Sequence, residues 1–198
     1  MGKIKAGIIV FLGTNCEQDT KRACEFFGWK TKFIRYDEQI SEPYDVIFIP
    51  GGFSYGDHVS SGRLAKMTPA ILSLPFKKSL IVGICNGFQI LCEAKLLPGV
   101  LTYNKNLKFI SKNCDVEFEN QIIKLPIAHK QGNYISTGDE HIIMKYIQNE
   151  NGSDKSAAGI YDRRSRIIGM MPHPERAMYA ETGNTDGRKV FEFIQHEI

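Results

Sequence analysis

No apolar run among the 198 residues approaches the twenty or so needed to cross a bilayer, which sets aside a membrane-spanning helix. Charge of one sign is also scarce. The formal net charge is +3, and the basic residues are scattered, which argues against a dedicated nucleic-acid surface. Cysteine is sparse and unpaired in pattern: Cys16, Cys24, Cys85, Cys92 and Cys114 are odd in number and form no Cys-x-x-Cys. Neither a disulfide framework nor a zinc ribbon is expected, and no histidine cluster has metal-ligand spacing. A reducing cytoplasm is the expected setting. The amino terminus, Met1 to Ala6, runs straight into a strand-like segment without the apolar stretch and cleavage site of a signal peptide. There is no internal repeat, low-complexity segment or splitting linker, so residues 1–198 read as one domain. The glycine–lysine spacing of a phosphate-binding P-loop is missing, and no ATP site is read in this chain.

What is present is an ordinary soluble composition, 42% hydrophobic and 24% charged, patterned as alternating strands and helices. Ala6–Phe11 reads as a buried parallel strand. Gly13-Thr14-Asn15 is a turn, with Asn15 as helix cap, and Gly28 ends the helix. Strands are expected at Thr31–Tyr36 and Val46–Ile49, a helix at Leu64–Leu72, and a buried strand at Leu80–Ile84 running into a helix. Past Pro98-Gly99 the pattern changes. Short strands at 107–110, 115–118, 122–125, 142–146 and 157–161 suggest an antiparallel extension of the parallel core. A strand at 166–171 and a terminal helix from Gly187, capped by Thr185-Asp186, complete the chain. The expected class is α/β, a doubly wound and mostly parallel sheet.

The chemistry concentrates in three stretches. Gly83-Ile84-Cys85-Asn86-Gly87 has the spacing of a nucleophile elbow with sulfur in place of a hydroxyl. Glycines two residues to either side let the neighbouring backbone approach, and the helix amino terminus favours a thiolate at Cys85. The Asn86 N–H is placed to donate to an oxyanion. The competing reading of Cys85 is a buried structural cysteine. Pro50-Gly51-Gly52-Phe53-Ser54-Tyr55-Gly56-Asp57 follows a strand, at the carboxyl edge where α/β sheets place ligands. Its glycines suit an oxyanion hole or, more plainly, a turn. Finally, Pro172-His173-Pro174-Glu175 offers a base and an orienting carboxylate two residues apart, both on one side of an extended segment. Cys85, His173 and Glu175 are therefore the candidate triad. His58 and His129 lie in glycine-containing loops and are able to reach a site, whereas His141 and His196 read as surface residues.

These three motifs together resemble the class I, or triad, glutamine amidotransferases, whose sheet is flavodoxin-like. The likeness spans nearly the whole chain. The wording of the three motifs, with Ile127-Ala128-His129, Asn133-Tyr134 and Asn151-Gly152-Ser153, is similar to the members that supply ammonia to de novo purine synthesis. The resemblance implies that Cys85 attacks the side-chain amide of glutamine, that His173 protonates the departing ammonia, and that Glu175 orients His173. It further implies oxyanion donors at Gly52 and Asn86 and glutamine contacts at Gln89, Phe53, Asn104 and Phe109. No metal or cofactor is expected on this chain. ATP and magnesium are expected on a separate synthetase chain that binds formylglycinamide ribonucleotide, with a third small protein completing the complex. Three positions depart from the family pattern. Lys130 and Gln131 stand where glycine and glutamate are usual, and Asn106 stands for a serine. The alternatives are an amidotransferase subunit serving another acceptor, a free-standing γ-glutamyl hydrolase, and a catalytically silent assembly subunit.

Overall fold

The computed structural model describes residues 3–54, 62–138 and 140–198. Tyr55, Gly56, Asp57 and His58 thus lie outside the described residues. In chain order the elements are β1 (Lys5–Val10), α1 (Glu17–Phe26), β2 (Lys30–Arg35), β3 (Val46–Ile49), α2 (Pro69–Leu72), β4 (Leu80–Ile84) and α3 (Asn86–Glu93). There follow β5 (Val100–Thr102), β6 (Ile110–Phe118), β7 (Gln121–His129), β8 (Asn133–Ile135), β9 (Ile142–Tyr146), β10 (Ala157–Asp162), β11 (Ile167–Met170) and α4 (Gly187–Glu197).

Nine of these strands form one sheet in the order β2-β1-β3-β4-β11-β10-β9-β6-β7. Neighbours from β2 to β11 are parallel, and from β11 onward each pairing is antiparallel. The central strands β3, β4 and β11 are buried along their whole length, as uninterrupted apolar runs such as VIFI and LIVGI require of strands covered on both faces. On one face Phe48 stacks at 5.8 Å on Phe191 of α4, beside Trp29. On the other lies α3, whose residues Asn86 to Cys92 are all buried. The carboxyl ends of β3, β4 and β11 meet at one edge of the sheet.

Several local expectations are corrected. The helix expected over 64–72 is broken at Thr68, which is extended (φ −77°, ψ 150°) because Pro69 follows it. What remains is a single 3₁₀ turn, Ala65–Met67, and the short α2. The three short strands read between 107 and 125 are instead one long hairpin. β6 and β7 have nine residues each and turn at Glu119 and Asn120, both with positive φ. Pro126 cut the second strand short in the sequence reading. It is tolerated because β7 is the sheet's edge. Asn15 does not cap α1: Cys16 holds that position, and the Asn15 side chain instead accepts from the Cys16 thiol. Asp186 sits at the N-cap of α4 without a side-chain cap bond, its carboxylate accepting from the Lys124 N–H.

Candidate active site

Cys85 stands between β4 and α3 with φ 51° and ψ −105°, backbone angles that cost a non-glycine residue about 1–3 kcal/mol. The conformation is held from both sides. Its N–H donates to the Met170 carbonyl of β11 at 2.7 Å, and its carbonyl accepts from the Gln89 N–H at 3.1 Å. Glycines make the turn sterically feasible. A Cβ at Gly87 would lie 1.8 Å from the Ile49 carbonyl oxygen, and one at Gly83 would lie 2.7 Å from the Gly87 carbonyl carbon. The helix therefore rests on the strands at backbone contact distance. The Cys85 thiol points to the Ala128 carbonyl, 3.6 Å away.

β11 delivers the second group. Beyond it, the His173 N–H donates to the Pro126 carbonyl at 2.8 Å, which ties the segment to the edge strand. His173 and Glu175 do not lie on an extended stretch. Pro174–Arg176 is a 3₁₀ turn, and it folds the carboxylate back so that Oε1 meets imidazole Nδ1 at 2.6 Å. Both side chains are buried, at 2% and 3% exposure. With a carboxylate on Nδ1, that nitrogen keeps its proton, and Nε2 is the position that takes up and gives back the second. Nε2 has no hydrogen-bond partner among the described residues. Burial alone would depress the imidazole, but the Glu175 carboxylate, helped by the Cys85 sulfur, holds its pKa well above the usual value.

The structure also places Cys16 at this pair. Its Sγ is 3.9 Å from His173 Nδ1, and burial, foremost, pushes its thiol pKa up. Cys16, His173 and Glu175 together offer three ligand atoms within 4.8 Å of one another, although the Nδ1 that faces both neighbours is already bonded to Glu175.

The glycine loop after β3 closes over the same edge. Gly52 forms a bridge with Thr14, flanked by bonds from the Phe53 N–H to the Gly13 carbonyl (2.9 Å) and from the Asn15 N–H to the Gly51 carbonyl (3.3 Å). A Cβ at Gly52 would lie 2.7 Å from the Gly13 oxygen, so only glycine fits. Neither the Gly52 nor the Asn86 N–H donates to a backbone acceptor among the described residues. The Asn86 side chain stitches loop to helix, accepting from the Ser54 N–H (3.3 Å) and donating to Gln89 Oε1 (2.9 Å).

Beside Cys85 opens a cavity of about 230 Å³, lined by Gly52, Phe53, Cys85, Gln89, Tyr103, Phe109, Ala128, His129, Lys130 and Gln131. Phe53 and Phe109 face one another at 6.4 Å, both about half exposed. Of the expected glutamine contacts, Phe53, Phe109 and Gln89 line this space. The Gln89 amide is already engaged there, its Nε2 donating to the Gln131 carbonyl at 2.7 Å. Asn104 is not among the lining residues: it is fully buried, and its amide is saturated. Nδ2 donates to the Lys108 and His129 carbonyls, while Oδ1 accepts from His129 Nδ1 and the Gly132 N–H, all at 2.8–3.0 Å. Asn106 caps the Lys108 N–H and is exposed. Tyr103, Ala128, Lys130 and Gln131 were not foreseen as cavity residues, because the pairing of β6 with β7 that carries most of them here was hidden. A larger hollow of about 710 Å³ near Pro98, His141 and Arg163 contains none of the reactive groups, so size does not mark the site.

His129 ends β7 rather than lying in a loop, and it is 3% exposed. Burial, and secondarily the positive charge of His173, lower its pKa to about 4. An unfolded histidine titrates near 6.5, so the stability due to neutral His129 is complete above that value and lost as pH falls toward 4. The loss amounts to about 3 kcal/mol at most. His173, raised, acts in the opposite sense, so the His129 contribution is isolated by difference. In urea unfolding, the stability gap between wild type and His129→Asn is expected to shrink by about 2–3 kcal/mol from pH 7 to pH 4. A gap that stays constant contradicts the assignment.

Comparison with known proteins shows the family. The chain matches the family model for a CobB/CobQ-like glutamine amidotransferase domain over residues 3–139 and 128–192. Similar curated proteins include the phosphoribosylformylglycinamidine synthase subunit PurQ of Thermotoga maritima, 38% identical over 97% of each chain. The subunit of the same name from Campylobacter jejuni is 42% identical over 94% of each. Among solved structures, PurLQS from Thermotoga maritima aligns with a TM-score of 0.92 at 36% identity, covering 98% of this chain and 99% of that one. Another glutamine amidotransferase from Thermotoga maritima shares the fold, with a TM-score of 0.59 at 17% identity, covering 100% of this chain and 84% of that one. The chain belongs to the PurQ family of phosphoribosylformylglycinamidine synthase subunits, within the CobB/CobQ-like glutamine amidotransferases.

Proposed function

We propose that this chain is the glutaminase subunit of phosphoribosylformylglycinamidine synthase, in de novo purine synthesis. It hydrolyses glutamine to glutamate and ammonia, and a synthetase subunit uses the ammonia to convert formylglycinamide ribonucleotide to formylglycinamidine ribonucleotide. The observation that carries this reading is the juxtaposition at one sheet edge. A strained cysteine opens on a small cavity beside a glycine N–H, and the adjacent strand ends in a buried imidazole–carboxylate pair.

The geometry supports the following roles. His173 Nε2 takes the Cys85 proton, and the sulfur attacks the side-chain carbonyl carbon of glutamine. The N–H groups of Gly52 and Asn86 receive the developing oxyanion. His173 gives its proton to the leaving nitrogen, and ammonia departs as the thioester forms. Water, deprotonated by the same imidazole, then releases glutamate and restores the thiol. Glu175 keeps Nδ1 protonated throughout, so that Nε2 faces the chemistry. ATP and magnesium belong to the synthetase, and a small third subunit completes the complex. The cytoplasm is the setting we propose; among the described residues, no helix is long and apolar enough to cross a membrane.

Glutamine hydrolysis without an acceptor wastes the nitrogen, so the site is expected to be slow alone. Adding both partner subunits, ATP–magnesium and formylglycinamide ribonucleotide should raise glutaminase activity by about tenfold or more. Full activity of the isolated chain would instead identify a free-standing hydrolase. No activity in the complete complex would identify a silent assembly subunit.

A further inference from the structure

Among the described residues, the cavity beside Cys85 is lined by one side chain with a permanent charge, Lys130. Its backbone is unusually well anchored for an exposed lysine. The Lys130 carbonyl accepts from the Asn104 N–H at 2.8 Å, and the next carbonyl, that of Gln131, accepts from Gln89 Nε2 at 2.7 Å. On its other side the His129 ring is locked. Asn104 Oδ1 holds Nδ1 at 3.0 Å, and a Cβ at Gly132 would fall 2.2 Å from the ring. From this fixed base the Lys130 ammonium lies 5.5 Å from the centroid of the Tyr103 ring, itself part of the cavity wall. Lys130 joins none of the ion pairs among the described residues.

A substrate amide carbon at the Cys85 sulfur leaves an amino-acid head about 5 Å away along an extended side chain, at carbon–carbon bonds of about 1.5 Å. The head then falls within the cavity, whose wall includes the exposed Tyr103 and Lys130. A counter-charge favours an α-carboxylate placed there, and among the described residues the rest of the lining is neutral or aromatic. We propose that Lys130 is the specificity residue that binds the α-carboxylate of the substrate, and so selects a free amino acid over a peptide-linked glutamine. The proposal rests on the reading of this site as a glutaminase.

A contact to the unreacting head is present equally in ground and transition states, so its removal raises KM and leaves kcat in place. The test is steady-state kinetics of the complete complex with wild type, Lys130→Met and Lys130→Arg. Each is assayed on glutamine and on glutaminamide, in which the α-carboxylate is replaced by a neutral amide. Lys130→Met keeps the apolar stem and is expected to raise KM for glutamine about tenfold, the scale of a partly exposed charge-assisted hydrogen bond. Its KM for glutaminamide should move less than twofold, and Lys130→Arg should recover most of the loss on glutamine. An unchanged KM for glutamine, or equal losses on both substrates, overturns the assignment while leaving the glutaminase reading intact. Failure of the wild-type complex to hydrolyse glutamine overturns both.

Discussion

Cys85→Ala is expected to lower glutamine-dependent synthesis by the complete complex on the order of 10⁴-fold or more, the scale on which removing a covalent nucleophile acts. The same variant should leave synthesis from added ammonium chloride within about twofold of wild type, because ammonia then reaches the synthetase without this chain's chemistry. The two rates are read in one preparation by following product with either nitrogen source. The fold should survive the change. The Cys85 thiol donates weakly to the Ala128 carbonyl, whereas its backbone is held by Met170 and Gln89. Loss of both rates would mean that Cys85 matters for assembly. Retention of the glutamine rate would remove Cys85 from the triad.

The second large effect concerns the elbow rather than the sulfur. Gly87→Ala should unfold the protein or lower its stability by about 3 kcal/mol or more, beyond ordinary overpacking. The added carbon would sit 1.8 Å from the Ile49 carbonyl oxygen, a backbone atom of a fully buried central strand. Neither partner has room to give: α3 is buried from Asn86 to Cys92, and β3 is hydrogen-bonded on both sides. Thermal unfolding of the purified variant, or its absence from the soluble fraction, decides the point. A variant melting within a few degrees of wild type would mean that α3 is free to shift away from the sheet. In that case the strained φ of Cys85 would not be imposed by packing.

These two expectations draw on different levels of the molecule. The buried parallel strands were legible because a strand covered on both faces must be apolar throughout. Val46–Ile49 and Leu80–Ile84 leave little choice of period. The elbow was legible for a local steric reason, since a tight strand-to-helix turn admits only glycine two residues to either side of Cys85. The hairpin of β6 and β7 was legible only in the halves next to its turn, 115–118 and 122–125. Its alternation is interrupted by Pro126, and an edge strand accepts a proline that local rules take as a break.

That hairpin decides much of the site. It brings Ala128, His129, Lys130 and Gln131 to the cavity from more than 40 residues beyond Cys85, and its Pro126 carbonyl anchors His173. Asn104 shows the same division from the other side. As a residue type it suits a substrate amide as well as a backbone bracket, and only the folded chain, by saturating both ends of its side chain, makes it a bracket. By itself, then, the sequence determined the parallel core, the identity of Cys85, His173 and Glu175 as candidates, and the steric need for glycine around the elbow. All of these depend on residues close in the chain or on burial pattern. Tertiary structure alone decided that a 3₁₀ turn, not a strand, joins His173 to Glu175, that Cys16 abuts the imidazole, and which side chains wall the cavity. Such relations are fixed by long-range strand pairing, whose partners are set by packing across the whole sheet and leave no local trace.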